Sequence, residues 1–123
     1  MAYEQIVTEI VDRVGVLRLN RPEKLNAWTS QMAAEIQDQI NVWNNDSGIG
    51  AILVTGEGRA FCAGADIGVF SERVETNRDG QGEQLGRGGY SFPDFIRESK
   101  PTVAAINGYA VGVGLTMILP FDI

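Results

Sequence analysis

The chain contains no histidine. That absence excludes Ser–His and Cys–His nucleophile systems, His-ligated metals and a histidine pH switch. A single cysteine excludes an intrachain disulfide and a cysteine-cluster zinc site. It suits a reducing compartment and sets the expectation of a cytoplasmic protein. Basic residues are scarce: 10 Lys and Arg against 16 Asp and Glu give a net charge of -6. Such a chain repels phosphate backbones, so nucleic acid is not expected as a partner. The start, Met1-Ala2-Tyr3-Glu4-Gln5, lacks the basic and apolar regions of a signal peptide. Pro101 to Phe121 is uncharged and reaches the ~20 residues of a membrane span. Asn107, Gly108, Gly112, Gly114 and two prolines interrupt it, so it reads as buried strand, turn and helix, and no membrane partner is expected.

What is present is a globular composition, 44% hydrophobic and 21% charged over 123 residues. One domain of this length can bury a core. Glycine is abundant, at 15 positions, well above the usual ~7%.

Gln5 to Val11 and Val14 to Leu19 are rich in Val, Ile and Leu and predict an antiparallel hairpin, with the turn at Asp12-Arg13 running into Gly15. Asn20 to Lys24 is a polar loop broken by Pro22. Met32, Ile36, Ile40 and Trp43 form one apolar stripe on a helix from about Ser30 to Trp43. Thr29 or Ser30 can cap its start, and Asn44 to Gly48 stops it. Ala51 to Val54 reads as a strand buried on both faces. From Ser71 to Gly89 the chain is polar, with five glycines after Asn77, and reads as a mobile loop or lid. Tyr90 to Ser99 predicts a short amphipathic helix, and Thr102 to Ile106 a second buried strand turning at Asn107-Gly108.

Ile52 to Asp66 and Val103 to Thr116 look alike: each is a buried strand, a small-residue turn with an aromatic, then a helix. Such repetition fits a layered spiral or a doubly wound sheet, and two copies do not decide between them. The sequence stops at Pro120-Phe121-Asp122-Ile123, as if entering a further element. The expectation is that residues 1–123 are the N-terminal part of a longer protein.

Gly112-x-Gly114 lacks the third glycine of a dinucleotide loop, and no Gly-Lys-Ser/Thr makes a P-loop. Small-residue turns also let a carbonyl oxygen come within about 3 Å of backbone nitrogens that stabilise an oxyanion. A following helix adds its positive end. Phe61 to Asp66 and Tyr109 to Gly114 both fit that use. On spacing alone, close-packed tight turns are the first reading.

Asn20-Arg21-Pro22-Glu23-Lys24-Leu25-Asn26-Ala27, then Gly58-Arg59-Ala60-Phe61-Cys62-Ala63-Gly64-Ala65-Asp66-Ile67, then Lys100-Pro101-Thr102-Val103-Ala104-Ala105-Ile106-Asn107-Gly108-Tyr109-Ala110-Val111-Gly112 occur in order. Together they resemble the enoyl-CoA hydratase/isomerase (crotonase) family over nearly the whole chain. The resemblance implies an α/β fold, a crotonase-like spiral of ββα turns, here incomplete. Members run to roughly twice this length, so later spiral turns and the C-terminal trimerisation helices are expected to be absent. It also implies an acyl-CoA substrate, with no cofactor beyond the coenzyme A it carries, and a homotrimer or hexamer at full length. The thioester oxygen would lie between the backbone N–H groups of Ala65 and Val113. Leu25, Asn26 and Ala27, with Ala63, Gly64, Ala65, Asp66, Ile67 and Gly68, would line the coenzyme A groove, and Gly112 would border the pocket.

Departures from the family pattern refine this. Hydratases of the family usually carry glutamate where this chain has Thr116, with a second glutamate further on. A threonine hydroxyl does not ionise near neutral pH and cannot act as general base. Isomerases need one acid–base group, supplied from the later segment, so isomerisation is the expected reaction. The alternatives are hydration, another acyl-CoA reaction of the family, or an acyl-CoA-binding protein without catalysis. Val113 stands where family members carry glycine, and Gly68 where some carry a phosphate-binding lysine. Cys62 reads as a small buried thiol, Asp66 as a loop-holding carboxylate, Trp28 and Trp43 as packing residues, and Glu57, Glu72 and Glu75 as solvated.

Overall fold

The structure is a computed structural model that describes residues 2–66 and 91–123. The first hairpin pairs β1 (Ile6–Val11) with β2 (Val14–Leu19), antiparallel from Ile6↔Leu19 to Val11↔Val14. Its turn is Asp12-Arg13, with Asp12 at φ 55°, a left-handed conformation that Asp tolerates. Gly15 is not part of that turn. It lies inside β2, where an added β-carbon would come within 2.6 Å of the Trp43 indole. The glycine is there to seat a ring from another element.

That ring belongs to α1 (Ser30–Asn44), whose cap is Thr29: its hydroxyl accepts from the Met32 N–H at 3.0 Å. Met32, Ile36, Ile40 and Trp43 are all buried, as their spacing predicts, and pack with Leu17, Leu19, Ile52 and Val54. Parallel to β2 runs β3 (Ala51–Gly56), from Val14↔Ala51 to Leu19↔Gly56. Only its Ile52 and Val54 are fully buried; Ala51 and Leu53, on the other face, are half-buried. The expectation of burial on both faces is met on one.

The chain then leaves this sheet for a second one. After β3 comes β4 (Ala60–Cys62), followed beyond residue 90 by α2 (Phe92–Arg97), capped by Ser91. Next, β5 (Thr102–Ala104) returns to the first sheet, parallel to β3, and β6 (Tyr109–Ala110) pairs with β4 in the second. Strand order is β1-β2-β3-β5 in one sheet and β4-β6 in the other. From β3 onward, successive strands thus alternate between two sheets, which selects the spiral over a doubly wound sheet. The strand expected over Thr102 to Ile106 ends at Ala104, since Ala105 and Ile106 are exposed. The last element is α3 (Val113–Thr116), a single turn.

Residues 71–89, expected as a lid, lie outside the described residues, as do Glu72, Glu75 and Tyr90. Among the described residues, no helix is long and apolar enough to cross a membrane.

Candidate active site

The two look-alike turns sit side by side because the strands before them are paired. In the parallel β4–β6 ladder Ala60 faces Tyr109 and Cys62 faces Ala110, so Phe61 is an extra residue, a β-bulge, on β4. Beyond the last pair, Ala65 and Val113 occupy equivalent positions, each the third residue on.

Each turn bends at a glycine with positive φ. Gly64 has φ +106°, and Gly112 has φ +57° with ψ -125°, a combination that strains any residue with a β-carbon. The turns touch: a β-carbon on Gly64 would lie 3.2 Å from the Val111 carbonyl oxygen, and Val111 N–H donates to the Cys62 carbonyl at 3.0 Å. Gly114 presses on the same carbonyl, where a β-carbon would come within 2.1 Å. Burial pushes the Cys62 thiol up in pKa, against a backbone hydrogen bond from Gly64. Cys62 is fully buried and uncharged, a packing residue.

The loop before α1 supports the first turn from the other side. Ala63 N–H donates to Leu25 O at 3.0 Å, Trp28 N–H to Gly64 O at 2.7 Å, and Asp66 N–H to Trp28 O at 2.9 Å. Trp28 and Ala65 therefore form a parallel bridge. Trp28 makes both hydrogen bonds of this bridge, so the Ala65 N–H points away from it. Ala65 N–H accordingly has no acceptor among the described residues, and neither has Val113 N–H. Ala65 is exposed and Val113 half-buried. Two unspent donors at equivalent places on adjoining turns are what an anionic oxygen needs. The helix end contributes little behind Val113, because α3 has four residues and few aligned dipoles.

Asn26 occupies a different place from the groove wall. It is fully buried at φ 55°; its Oδ1 accepts from Arg21 N–H at 2.7 Å, and its Nδ2 donates to the carbonyls of Glu57 and Ala60, both at 2.9 Å. Its amide is thus committed to the protein. Leu25 and Ala27 on either side are half-buried, as are Ala63 and Asp66. Thr116 is exposed at the end of α3. Ile67 and Gly68 lie outside the described residues.

Three contributions were missed from sequence. Asn107 donates to Gly58 O and Ala60 O at 3.0 and 3.2 Å, so Ala60 O receives both asparagine side chains. Trp28 packs edge-on against Phe92 and also supplies the bridge to Ala65. Arg21 reaches both Ala27 O and the Asp66 carboxylate. Opposite charges in two separate motifs are the one sequence signal that could have suggested the last contact. Glu57 is half-exposed and ion-pairs with Arg18 at 3.2 Å. Among the described residues, no cluster of three or more acidic or cysteine side chains could hold a metal ion.

Known proteins match this chain in sequence and in fold. The profile of the enoyl-CoA hydratase/isomerase family matches residues 14–123. The chain belongs to that family. Its fold is the crotonase spiral. A probable mitochondrial enoyl-CoA hydratase of Dictyostelium discoideum is 36% identical over 94% of this chain and 40% of its own length. A crotonyl-CoA hydratase of Syntrophomonas wolfei is 32% identical over 99% of this chain and 46% of its own. A solved enoyl-CoA hydratase subunit from Geobacillus kaustophilus superposes with a TM-score of 0.82 at 31% identity, over 98% of this chain and 45% of that one. The chain thus spans less than half the length of these relatives.

Proposed function

We propose that this chain forms the oxyanion-stabilising part of an acyl-CoA enzyme. The carbonyl oxygen of a thioester accepts hydrogen bonds from Ala65 N–H and Val113 N–H, and coenzyme A enters as part of the substrate. The observation that carries this is the pair of amides, three residues beyond the Cys62–Ala110 pair, that have no acceptor among the described residues. Removing a proton next to the thioester puts negative charge on that oxygen, so both bonds strengthen in the transition state. Leu25, Ala27 and Ala63 border the coenzyme A path. The acid–base group comes from a later segment.

The finer reading is a double-bond shift in an enoyl-CoA, supported by Thr116, whose hydroxyl cannot activate water as a carboxylate does. Hydration is the second reading, and the names carried by the relatives favour it. Protein expressed from its complete reading frame, assayed on 3-enoyl-CoA and 2-enoyl-CoA, separates the two. Isomerisation of the first supports the double-bond shift; hydration of the second without isomerisation overturns it. Tight thioester binding without turnover of either identifies a binding protein.

A further inference from the structure

Ala65 and Val113 differ in what stands beside their N–H groups. Ala65 is exposed and carries a single methyl group, whereas Val113 is half-buried and packs against the core. In helical backbone the Cα–Cβ bond leans the same way as the residue's own N–H. Val113 is helical, so an oxygen accepting from its N–H comes within about 4 Å of its β-carbon. The isopropyl group therefore borders any oxygen held there. That wall is fixed. A β-branched residue in a helix has one strongly preferred χ1 rotamer. The Val113 carbonyl accepts from Met117 N–H at 2.9 Å, and Gly114 N–H donates to Val111 O at 2.9 Å. Gly114 lies so close to the Cys62 carbonyl oxygen that a β-carbon would come within 2.1 Å of it. α3 therefore has no room to retreat towards β4.

A thioester carbonyl accepts hydrogen bonds near its own plane, along its two lone-pair directions. One direction flanks the sulfur and the other flanks C2 of the acyl chain, so each donor adjoins one of these atoms. Leu25, Ala27 and Ala63, which border the coenzyme A path, belong to the Ala65 side. Ala63 N–H donates to Leu25 O at 3.0 Å, and Trp28 N–H to Gly64 O at 2.7 Å. The sulfur thus takes the Ala65 side and C2 the Val113 side. We infer that the Val113 side chain is a specificity determinant: it admits thioesters unbranched at C2 and excludes those carrying a methyl group there. This deepens the oxyanion reading and rests on it.

The test is a ratio of kcat/KM values, measured on protein expressed from its complete reading frame. The substrates are 2-butenoyl-CoA and 3-hexenoyl-CoA, each beside its 2-methyl counterpart. The unbranched thioester is expected to be favoured about 10–200-fold, the usual reach of one methyl group in a closed pocket. V113G keeps the N–H and removes the wall, so it should lose most of that preference, with V113A in between. A purely structural role for Val113 lowers turnover of both partners in a pair alike and leaves their ratio where it was. An unchanged ratio in V113G therefore overturns the inference, as does equal use of both thioesters by the unmutated protein. If V113G does not fold, V113A decides: a reduced ratio supports the wall, an unchanged one overturns it. If the protein binds thioesters without turnover, the ratio of Kd values from calorimetry on the same pairs gives the same two answers. No turnover and no binding of any of these thioesters sinks the acyl-CoA reading and this inference with it. A flat ratio with turnover leaves that reading standing and removes only the role of Val113.

Discussion

Gly64 and Gly112 meet back to back: a β-carbon on Gly112 would stand 3.9 Å from the Gly64 α-carbon. Gly64 immediately precedes Ala65 and Gly112 precedes Val113, whose amides have no acceptor among the described residues. The approach of the two turns therefore depends on the absence of side chains at the points where they bend.

Gly64→Ala and Gly112→Ala should both destabilise, by about 1–3 kcal/mol each, because both glycines have positive φ. Gly64→Ala should cost more, since its new methyl group also meets the Val111 carbonyl oxygen at 3.2 Å. Urea unfolding of the two variants checks the order. Equal midpoints would mean that the loops yield at that contact.

Val113→Pro deletes one donor with little effect on the fold. Val113 is the first residue of α3, a position that suits proline, and its N–H has no acceptor to lose among the described residues. Turnover is expected to fall by ~10²–10³. A folded variant with an undiminished rate would remove Val113 from the oxyanion site.

Asn26→Ala strips partners from Arg21 N–H and Glu57 O and one of two from Ala60 O, in a fully buried place. The expected loss is about 2–4 kcal/mol. Asn107→Ala, at an exposed residue, should lose less. Because both side chains donate to Ala60 O, the double variant should depart from additivity. A denaturation cycle measures the coupling, and strict additivity would contradict the shared carbonyl.

Tyr3 should titrate late. Burial, a 2.5 Å hydrogen bond to Asp38 and the charges of Asp38 and Glu35 push its pKa up to about 12. Its folded pKa thus exceeds the unfolded value, so the proton is held more tightly in the fold. The stability it contributes is complete below about pH 10 and is lost as pH rises towards 12. Ultraviolet titration should show one tyrosinate forming near that upper limit, and Asp38→Asn should bring it down.

Local periodicity made much of the fold legible. The hairpin, the Thr29 cap and the Met32–Trp43 stripe each follow from spacing within one element, and the structure has them where spacing puts them. The reason for Gly15 is the Trp43 ring, which no neighbour in sequence announces. The strand at Thr102 is shorter than its apolar run, because Ala105 and Ile106 are apolar yet exposed. At the site, Gly64 and Gly112 could be recognised as bends, whereas the role of Asn26 could not. Two of its three side-chain bonds go to the carbonyls of Glu57 and Ala60, which only the folded chain brings near.

The bulge at Phe61 makes this site sensitive to residue count as well as to the identity of its bending glycines. Successive amides of extended chain face opposite sides. Losing or gaining one residue between Cys62 and Ala65, or between Ala110 and Val113, would therefore turn a donor away even with every side chain retained. Substitution at Ala65 or Val113 by any residue except proline leaves the peptide N–H where it is. Mutational tolerance at Ala65 and Val113 should thus be lopsided: point changes leave the two amides in place, while single-codon insertions and deletions turn one of them away.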